Sequence, residues 1–313
     1  MKRQTLAGWV SLWLCVCSSM VSAQESDAIS VGPHWHVGQT SRYEFWSTRV
    51  LDRTMTMGDR KRTSTTRIES DGQTTWQVDR VASDGSATCT MTLNWITATI
   101  TGPDGKAMKN DSRKHKGAIE PYHKLLKAVV DMPITVEVAA DGTVKRVKGV
   151  KQIAARFKAG DFPLEDRDFI ESATTLAILA GAPPTLKVGQ SWKTVYDWSH
   201  EMGTIEQAFT YKLDSVEEIE GIALATVTGT AKLKLNVDRS EIPSDAPPMS
   251  FKLSQGRATD QVMFDLHRHE TVGRNNTEDY VVTTRITLPQ GQGTIVQKTD
   301  TQVRSQVLRL SEE

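Results

Sequence analysis

Residues 134–147 read ITVEVAADGTVKRV, two runs of β-favouring residues on either side of Asp141-Gly142. Valine and isoleucine are branched at Cβ and are enriched in strands, and Asp-Gly between such runs is a strong hairpin signal. The glycine can supply the positive φ that a tight turn requires. The stretch therefore predicts an antiparallel β-hairpin.

The chain on the N-terminal side, from Thr40 to about Lys109, is built from similar short extended segments. Tyr43 and Phe45 alternate with polar neighbours, as do Trp76 and Val78, which is the period of a strand with one buried face. Turn signals separate the segments at Gly58-Asp59, Asp71-Gly72, Asp84-Gly85 and Gly102-Pro103-Asp104-Gly105. The region predicts an antiparallel meander.

Three segments around the hairpin have helical spacing instead. The first follows Pro121 and is closed by Pro133, and the last has Asp166 and Asp168 in its first turn and ends at Gly181. Their apolar positions are Tyr122, Leu125, Leu126 and Val129, then Val150, Ile153, Ala154 and Phe157, then Phe169, Ala173, Leu176, Ala177 and Ala180. Each helix is apolar on one face, and we expect that face to pack on a sheet.

The β pattern resumes at Lys187 with longer segments. We predict strands at Ile222 to Val237, Met249 to His269, Glu278 to Leu288 and Thr294 to Leu310. The predicted connections are a loose one from Pro243 to Pro248 and turns at Gly273-Arg274-Asn275-Asn276 and Pro289 to Gly293.

The expected fold is mainly β, in the α+β class, with two antiparallel curved β lobes separated by a short helical segment. We divide the chain into residues 1–23, a signal peptide; 24–117, an N-terminal β lobe; 118–183, the hairpin and central helices; and 184–313, a C-terminal β lobe.

A weak internal repeat accompanies this division. Val37-Gly38-Gln39 recurs as Val188-Gly189-Gln190, each time opening a β region, and Trp76-x-Val78-x-x-Val81 recurs as Tyr211-x-Leu213-x-x-Val216. A duplicated lobe explains the repeat, and so do two unrelated sheets that share turn chemistry.

The first residues are typical of a secretory signal peptide. Lys2 and Arg3 precede an apolar stretch from about Leu6 to Met20, and Val21-Ser22-Ala23 is a small-residue cleavage pattern. We expect cleavage after Ala23 and a protein that is periplasmic or extracellular. An uncleaved anchor is disfavoured because serines interrupt the run, and lipid on Cys17 because Leu14 and Val16 are unsuitable neighbours.

Composition excludes some partners. The chain has 38 basic and 38 acidic residues, so overall charge favours neither nucleic acid nor an anionic membrane surface. After cleavage, Cys89 is the remaining cysteine of three, and a single thiol cannot form an internal disulfide. Stability must then come from an apolar core.

The chain resembles a family of uncharacterised exported bacterial β-rich proteins, a domain of unknown function. The resemblance lies in the signal peptide, in the run from Asp141 to Gly149, and in Pro184-Thr185-Leu186-Lys187-Val188-Gly189-Gln190-Ser191-Trp192, and it covers most of the mature chain. It implies an architecture and transfers no catalytic residue.

Two histidine pairs are the clearest candidates for chemistry. His34 and His36 lie near the mature start, and His267 and His269 are predicted late in a strand with Asp265 on the same face. Each pair could present two imidazoles to one metal, but a third ligand is not evident, so surface histidine is the favoured interpretation and we predict no metal site. Sequence alone leaves open whether the pairs meet.

Other catalytic motifs are missing from the sequence. It contains no Gly-x-Ser-x-Gly, no His-Glu-x-x-His and no glycine loop for a nucleotide. Cys89 is expected to be a packed thiol between Thr88 and Thr90. We therefore predict no catalytic residue, no cofactor-binding residue and no cofactor.

Two further patterns have ordinary interpretations. The basic run from Lys106 to Lys116 could bind an anionic partner, but it lacks interleaved aromatic residues and is typical of a solvated loop. The mature tryptophans could line a pocket for lipid or sugar, but aromatic residues in β lobes more often fill the core. They are Trp35, Trp46, Trp76, Trp95, Trp192 and Trp198.

The sequence leaves the function unknown and favours a non-catalytic cell-envelope protein. Its partner would be an apolar small molecule or an envelope protein, held where the central helices meet the β lobes, without nucleic acid and without a stable membrane span after signal cleavage. The alternatives are an enzyme with an unrecognised site and an envelope scaffold.

Overall fold

A computed structural model describes residues 28–114, 122–149, 152–153, 179–200, 203–238, 246–289 and 293–311. The described strands are β1 (Thr40–Met57), β2 (Arg60–Val81), β3 (Ala87–Thr101), β4 (Ala107–Asp111), β5 (Pro133–Val138), β6 (Val144–Lys148), β7 (Ser191–His200), β8 (Gly203–Ile219), β9 (Ile222–Val237), β10 (Met249–Asp265), β11 (Glu270–Thr287) and β12 (Thr294–Arg309). One helix, α1 (Tyr122–Val129), lies between β4 and β5.

The prediction of a mainly antiparallel β protein is confirmed. The strands form one sheet in the order β6-β5-β3-β2-β1-β12-β11-β10-β9-β8-β7, with β4 beside β3. Strands from both predicted lobes belong to this sheet, because β1 pairs with β12 along 15 residue pairs. Among the described residues, no helix has the length and hydrophobicity that a membrane span requires.

Several local predictions are also confirmed. The hairpin at Asp141-Gly142 joins β5 to β6, and its glycine has a positive φ of 84°. Gly58-Asp59 joins β1 to β2, Asp84-Gly85 lies between β2 and β3, and α1 has the predicted position. The two other predicted helices lie almost wholly outside the described residues.

Two predicted turns are wrong, because glycine serves packing there. Gly72 lies inside β2, and a Cβ on it would be 2.4 Å from the ring of Phe45. The predicted turn Gly273-Arg274-Asn275-Asn276 lies inside β11, where a Cβ on Gly273 would be 2.8 Å from Cε of Met263. In both places a side chain of the neighbouring strand occupies the space next to the glycine, the Phe45 ring at Gly72 and the end of Met263 at Gly273.

Alternate residues of each strand face one side of the sheet, which we call the inner face, and carry two apolar clusters. The first lies on β1, β2, β3 and β5 and includes Tyr43, Trp76, Cys89, Val136 and Ala128 of α1. The second lies mainly on β7–β10 and includes Trp192, Phe209, Tyr211, Val227 and Phe264. Trp76 and Trp192 are core residues as predicted, whereas Trp46 is exposed on the opposite, outer face.

Candidate binding surface on the inner face of the sheet

The inner face continues beyond both clusters, toward the β1–β2 and β11–β12 hairpins. Five neighbouring strands form this extension, in the order β2-β1-β12-β11-β10. The strand register places their residues in rows that run across the sheet. We call the two rows nearest the hairpins, together with Arg53, the tip face.

The outer row is an apolar strip with an arginine at one end. Arg60 pairs with Met57, Met57 with Ile295, Ile295 with Ile286, and Ile286 with Met249. Directly opposed residues on neighbouring strands have Cβ atoms about 4.5–5.5 Å apart, so the four apolar side chains are in reach of one another.

The second row also begins with an arginine beside a methionine and ends with an apolar residue. Arg62 pairs with Met55, and the row continues through Gln297 and Thr284 to Phe251. Met55 is 45% exposed and Met57 is 44% exposed, and none of the apolar residues of either row belongs to the two apolar clusters. The tip face is therefore an uncovered apolar surface on an otherwise ordinary sheet.

The arginines of the tip face differ from Arg257 and Arg304 on the outer face. Arg257 and Arg304 both pair with Asp279 on the outer face. Within the described ranges, no side-chain hydrogen bond or ion pair includes Arg53, Arg60 or Arg62. Their guanidinium donors remain available for an anionic group.

A buried charged cluster on β8, β10 and β11 lies against the second apolar cluster. Arg274 of β11 places Nη2 2.7 Å from Oδ2 of Asp260 on β10, and its Nε donates to the same carboxylate at 3.0 Å. The Tyr211 hydroxyl donates to Oδ2 of Asp260 at 2.6 Å. Burial raises the pKa of Tyr211 well above its ordinary value, so the hydroxyl keeps its proton and donates.

This cluster is satisfied internally, which indicates a structural role. Burial alone would lower the pKa of Arg274, but Asp260 beside it raises that pKa, and the pair stays ionised. Glu278, four residues beyond Arg274 on the same face of β11, has its pKa raised by burial. Sequence reasoning missed these residues because it assigned Arg274 to a turn. The signal that could have found them is the two-residue period of Arg274, Asn276 and Glu278 in a long β region.

The histidine pairs do meet in space, through one member of each. The rings of His34 and His269 stack with centroids 4.1 Å apart and planes within 12°. Burial, followed by the nearby His34 and His36, lowers the pKa of His269. Parallel stacked rings do not direct their nitrogens at one point, so the pair does not have the geometry of two ligands to one ion.

The strand predicted to hold His267 and His269 ends earlier, at Asp265, and this prediction is wrong. Asp265 accepts hydrogen bonds from the backbone N–H groups of His267 and Arg268, at 2.8 and 3.0 Å, and so caps a tight turn. His269 has a positive φ of 54°, the left-handed conformation that is common in turns, and it precedes the first residue of β11. Across the part of the chain that the structure describes, no three His, Cys, Asp or Glu residues are grouped to hold a metal ion.

The remaining candidates have local partners. Cys89 is buried, and burial followed by the charge of Asp79 raises the pKa of its thiol to about 12, so it stays protonated near neutral pH. In the basic run, Arg113 lies over the ring of Trp95 at 4.1 Å and donates two hydrogen bonds to Asp111, at 3.0 and 3.1 Å. Residues 115 and 116 of that run lie outside the described residues.

Comparison with protein families gives one match. Residues 84–167 match a family described as a family of unknown function, DUF6263. The prediction that the chain resembles an uncharacterised domain of unknown function is therefore confirmed. A comparison with curated proteins finds no match.

Comparison with solved structures gives remote similarities. The COG4313 outer membrane channel from Pseudomonas putida F1 is 9% identical, covering 89% of this chain and 97% of the channel, with a TM-score of 0.22. A DUF1329 family protein from Desulfovibrio piger is 7% identical, covering 82% and 83%, with a TM-score of 0.14. OccK5 (OpdH) from Pseudomonas aeruginosa is 10% identical, covering 86% and 98%, with a TM-score of 0.18. Scores this low carry no argument about fold or function.

Proposed function

We propose that the chain is a non-catalytic protein of the cell envelope that binds the apolar part of an amphiphilic molecule on its tip face. The observation that carries the proposal is the outer row, in which Met57, Ile295, Ile286 and Met249 form one apolar strip that no described core cluster covers. Three strand spacings of about 4.8 Å make this strip about 14 Å wide. Covering a partly exposed strip of that size with an apolar group removes apolar surface from water, which lowers the free energy.

The packing of α1 favours the tip face over the helix as the binding surface. The sequence predicts a partner where the central helices meet the β lobes, but Ala128 and Val129 of α1 pack against the first apolar cluster. That face of α1 is already occupied by core packing. The tip face, by contrast, has its methionines nearly half exposed.

An envelope location is supported by the N-terminal sequence. The charged start at Lys2 and Arg3, the apolar stretch and the Val21-Ser22-Ala23 pattern favour export and cleavage. We therefore propose a periplasmic or extracellular protein that starts near Gln24. N-terminal sequencing of protein recovered from an exporting cell checks this, and a retained Met1 or lipid on Cys17 contradicts it.

The binding proposal is tested by native mass spectrometry and lipid extraction of the protein from its own envelope. We expect a bound amphiphile that is lost or reduced in a Met55→Ser, Met57→Ser double variant. Ile222→Ser is the matched control, because Ile222 is 43% exposed in the β8–β9 turn, far from the tip face in the register. If the wild-type protein carries no amphiphile, or if the control loses it equally, the tip face is not the binding site and a scaffold role replaces the proposal.

A further inference from the structure

We propose that the tip face docks on a lipid bilayer that contains anionic phospholipid, with its arginines on the phosphates and its apolar rows in the acyl boundary. This inference rests on the proposed function and names the partner. It concerns a local surface, since the whole chain has 38 basic and 38 acidic residues and no net charge.

The local charge is strongly basic. Between Arg53 and Arg62 the chain has four basic residues, Arg53, Arg60, Lys61 and Arg62, and one acid, Asp59. Three of the four face the same side as the apolar rows, since Arg60 opposes Met57, Arg62 opposes Met55, and Arg53 precedes Met55 by two positions along β1. A cationic border beside an apolar strip is the pattern of a peripheral membrane-binding surface.

The arginines suit phosphate in particular. A guanidinium presents a planar fork of donors that matches a phosphate, and its aliphatic stem can lie along apolar matter while the charge stays at the surface. Arg53, Arg60 and Arg62 make no side-chain ion pair within the described ranges, whereas Arg67, Arg257 and Arg304 on the outer face each pair with a carboxylate. The three arginines of the tip face therefore keep their donors available for phosphate groups.

The position of the rows favours a bilayer over a single enclosed lipid. The β1–β2 turn, the start of β12 and the start of β10 lie at one end of the sheet, because Met57 pairs with Ile295 and Ile286 pairs with Met249. The rows therefore run along a rim that a flat surface can reach. None of the described apolar clusters forms a wall around them that would enclose one acyl chain.

The test is flotation of the exported, processed protein with vesicles of phosphatidylcholine alone and of phosphatidylcholine with phosphatidylglycerol. We expect binding to the anionic vesicles, weakened by salt. Each basic residue at such a surface changes the partition by about fivefold, so Arg60→Gln with Arg62→Gln reduces it by about 25-fold. The control is Lys61→Gln with Lys298→Gln, which removes the same charge from the outer face, where Lys61 opposes Thr56 and Lys298 opposes Thr54.

The results separate the two proposals. Equal binding to both vesicles, no binding to either, or equal loss in the arginine and lysine variants overturns membrane docking. If an amphiphile is still recovered on the protein in those cases, and is lost from the Met55→Ser, Met57→Ser variant, the proposed function stands without the bilayer. Circular dichroism of each variant checks that the sheet is retained.

Discussion

The turn before β1 and the turn before β7 are built alike. The Gly38 N–H donates to the Val78 carbonyl at 2.8 Å, and the Gly189 N–H donates to the Leu213 carbonyl at 2.7 Å. The return bonds, from Val78 N–H to Gln39 and from Leu213 N–H to Gln190, are 2.9 and 3.0 Å. Both glycines have a positive φ, 83° and 90°.

The likeness continues into the strands. Each second strand has a bulge just after these bonds, at Asp79 in β2 and at Asp214 in β8. Each bulged carboxylate accepts a hydrogen bond from a threonine on the next strand, Thr90 at 2.6 Å and Thr228 at 2.5 Å. The two regions share this pattern of hydrogen bonds. The recurring motifs contain the residues that make the turn bonds, Gly38, Gln39 and Val78 in the first region and Gly189, Gln190 and Leu213 in the second.

The two regions differ in the length of the hairpin. β1 has 18 residues and β7 has 10, a difference of eight, so the first hairpin is about 27 Å longer at about 3.4 Å per residue. The added length contains Arg53, Met55, Met57, Arg60 and Arg62. The candidate site therefore lies in the eight-residue extension of the first hairpin, which the second hairpin lacks.

The largest effect is expected at the buried cluster of the second region. Asp260→Ala leaves the buried Arg274 guanidinium without its carboxylate, and we expect a loss of about 3–5 kcal/mol in the free energy of unfolding, measured with urea. Asp260→Leu with Arg274→Met should recover most of that loss, because no charge is left unpaired. Arg257→Gln, which removes an exposed pair with Asp279, should cost less than about 1 kcal/mol. A similar loss in all three would contradict the burial argument.

The next largest effect is expected where a glycine packs against an aromatic ring, a contact that both regions contain. A Cβ would lie 2.4 Å from the Phe45 ring at Gly72 and 2.4 Å from the Tyr211 ring at Gly229. We expect Gly72→Ala and Gly229→Ala each to destabilise by about 1–3 kcal/mol, measured by thermal unfolding. Gly32→Ala is the control, because its nearest contact would be 3.9 Å. A neutral Gly72→Ala would show that Phe45 moves aside, and the two regions would then differ in rigidity.

The smallest effect concerns the repeated bulge. Asp79→Ala and Asp214→Ala each remove one threonine hydrogen bond, and Asp214→Ala also removes an ion pair with the half-exposed Lys212. Because an exposed ion pair adds little, we expect losses of about 0.5–1.5 kcal/mol from each variant near neutral pH. If the two losses in the free energy of unfolding differ severalfold, the two bulges do not contribute equally to stability.

The Asp214 effect should depend on pH. Burial alone would raise the pKa of Asp214, but hydrogen bonds from Thr228 and Lys212 lower it below its ordinary value. A lowered folded-state pKa stabilises the protein above the unfolded value of about 3.9 and loses that contribution as pH falls through the folded value. The gap between wild type and Asp214→Ala should therefore narrow below about pH 4 in urea titrations.

Sequence patterns predicted the elements that local chemistry determines. The β5–β6 hairpin and α1 follow from residue type and spacing alone. Gly72 and Gly273 were misread as turns, because the reason for each glycine is a side chain on another strand, Phe45 or Met263. The tip face could not be predicted from the sequence for a related reason. Its rows depend on the β1–β12 register, which places Met57 opposite Ile295. The same holds for His34 and His269, which are distant in sequence and stack in the fold.

The pairing of β1 with β12 has a consequence for how the chain folds. Tyr43 is opposite Arg309, so the centre of the sheet joins the first and the last described strands. While the chain is being made, β1 lacks this neighbour until β12 has appeared, and its unpaired backbone edge is available to other chains. Contacts so distant in sequence also slow folding. We expect a folding phase that is slow and sensitive to protein concentration, with the tip rows the last apolar part of the sheet to order.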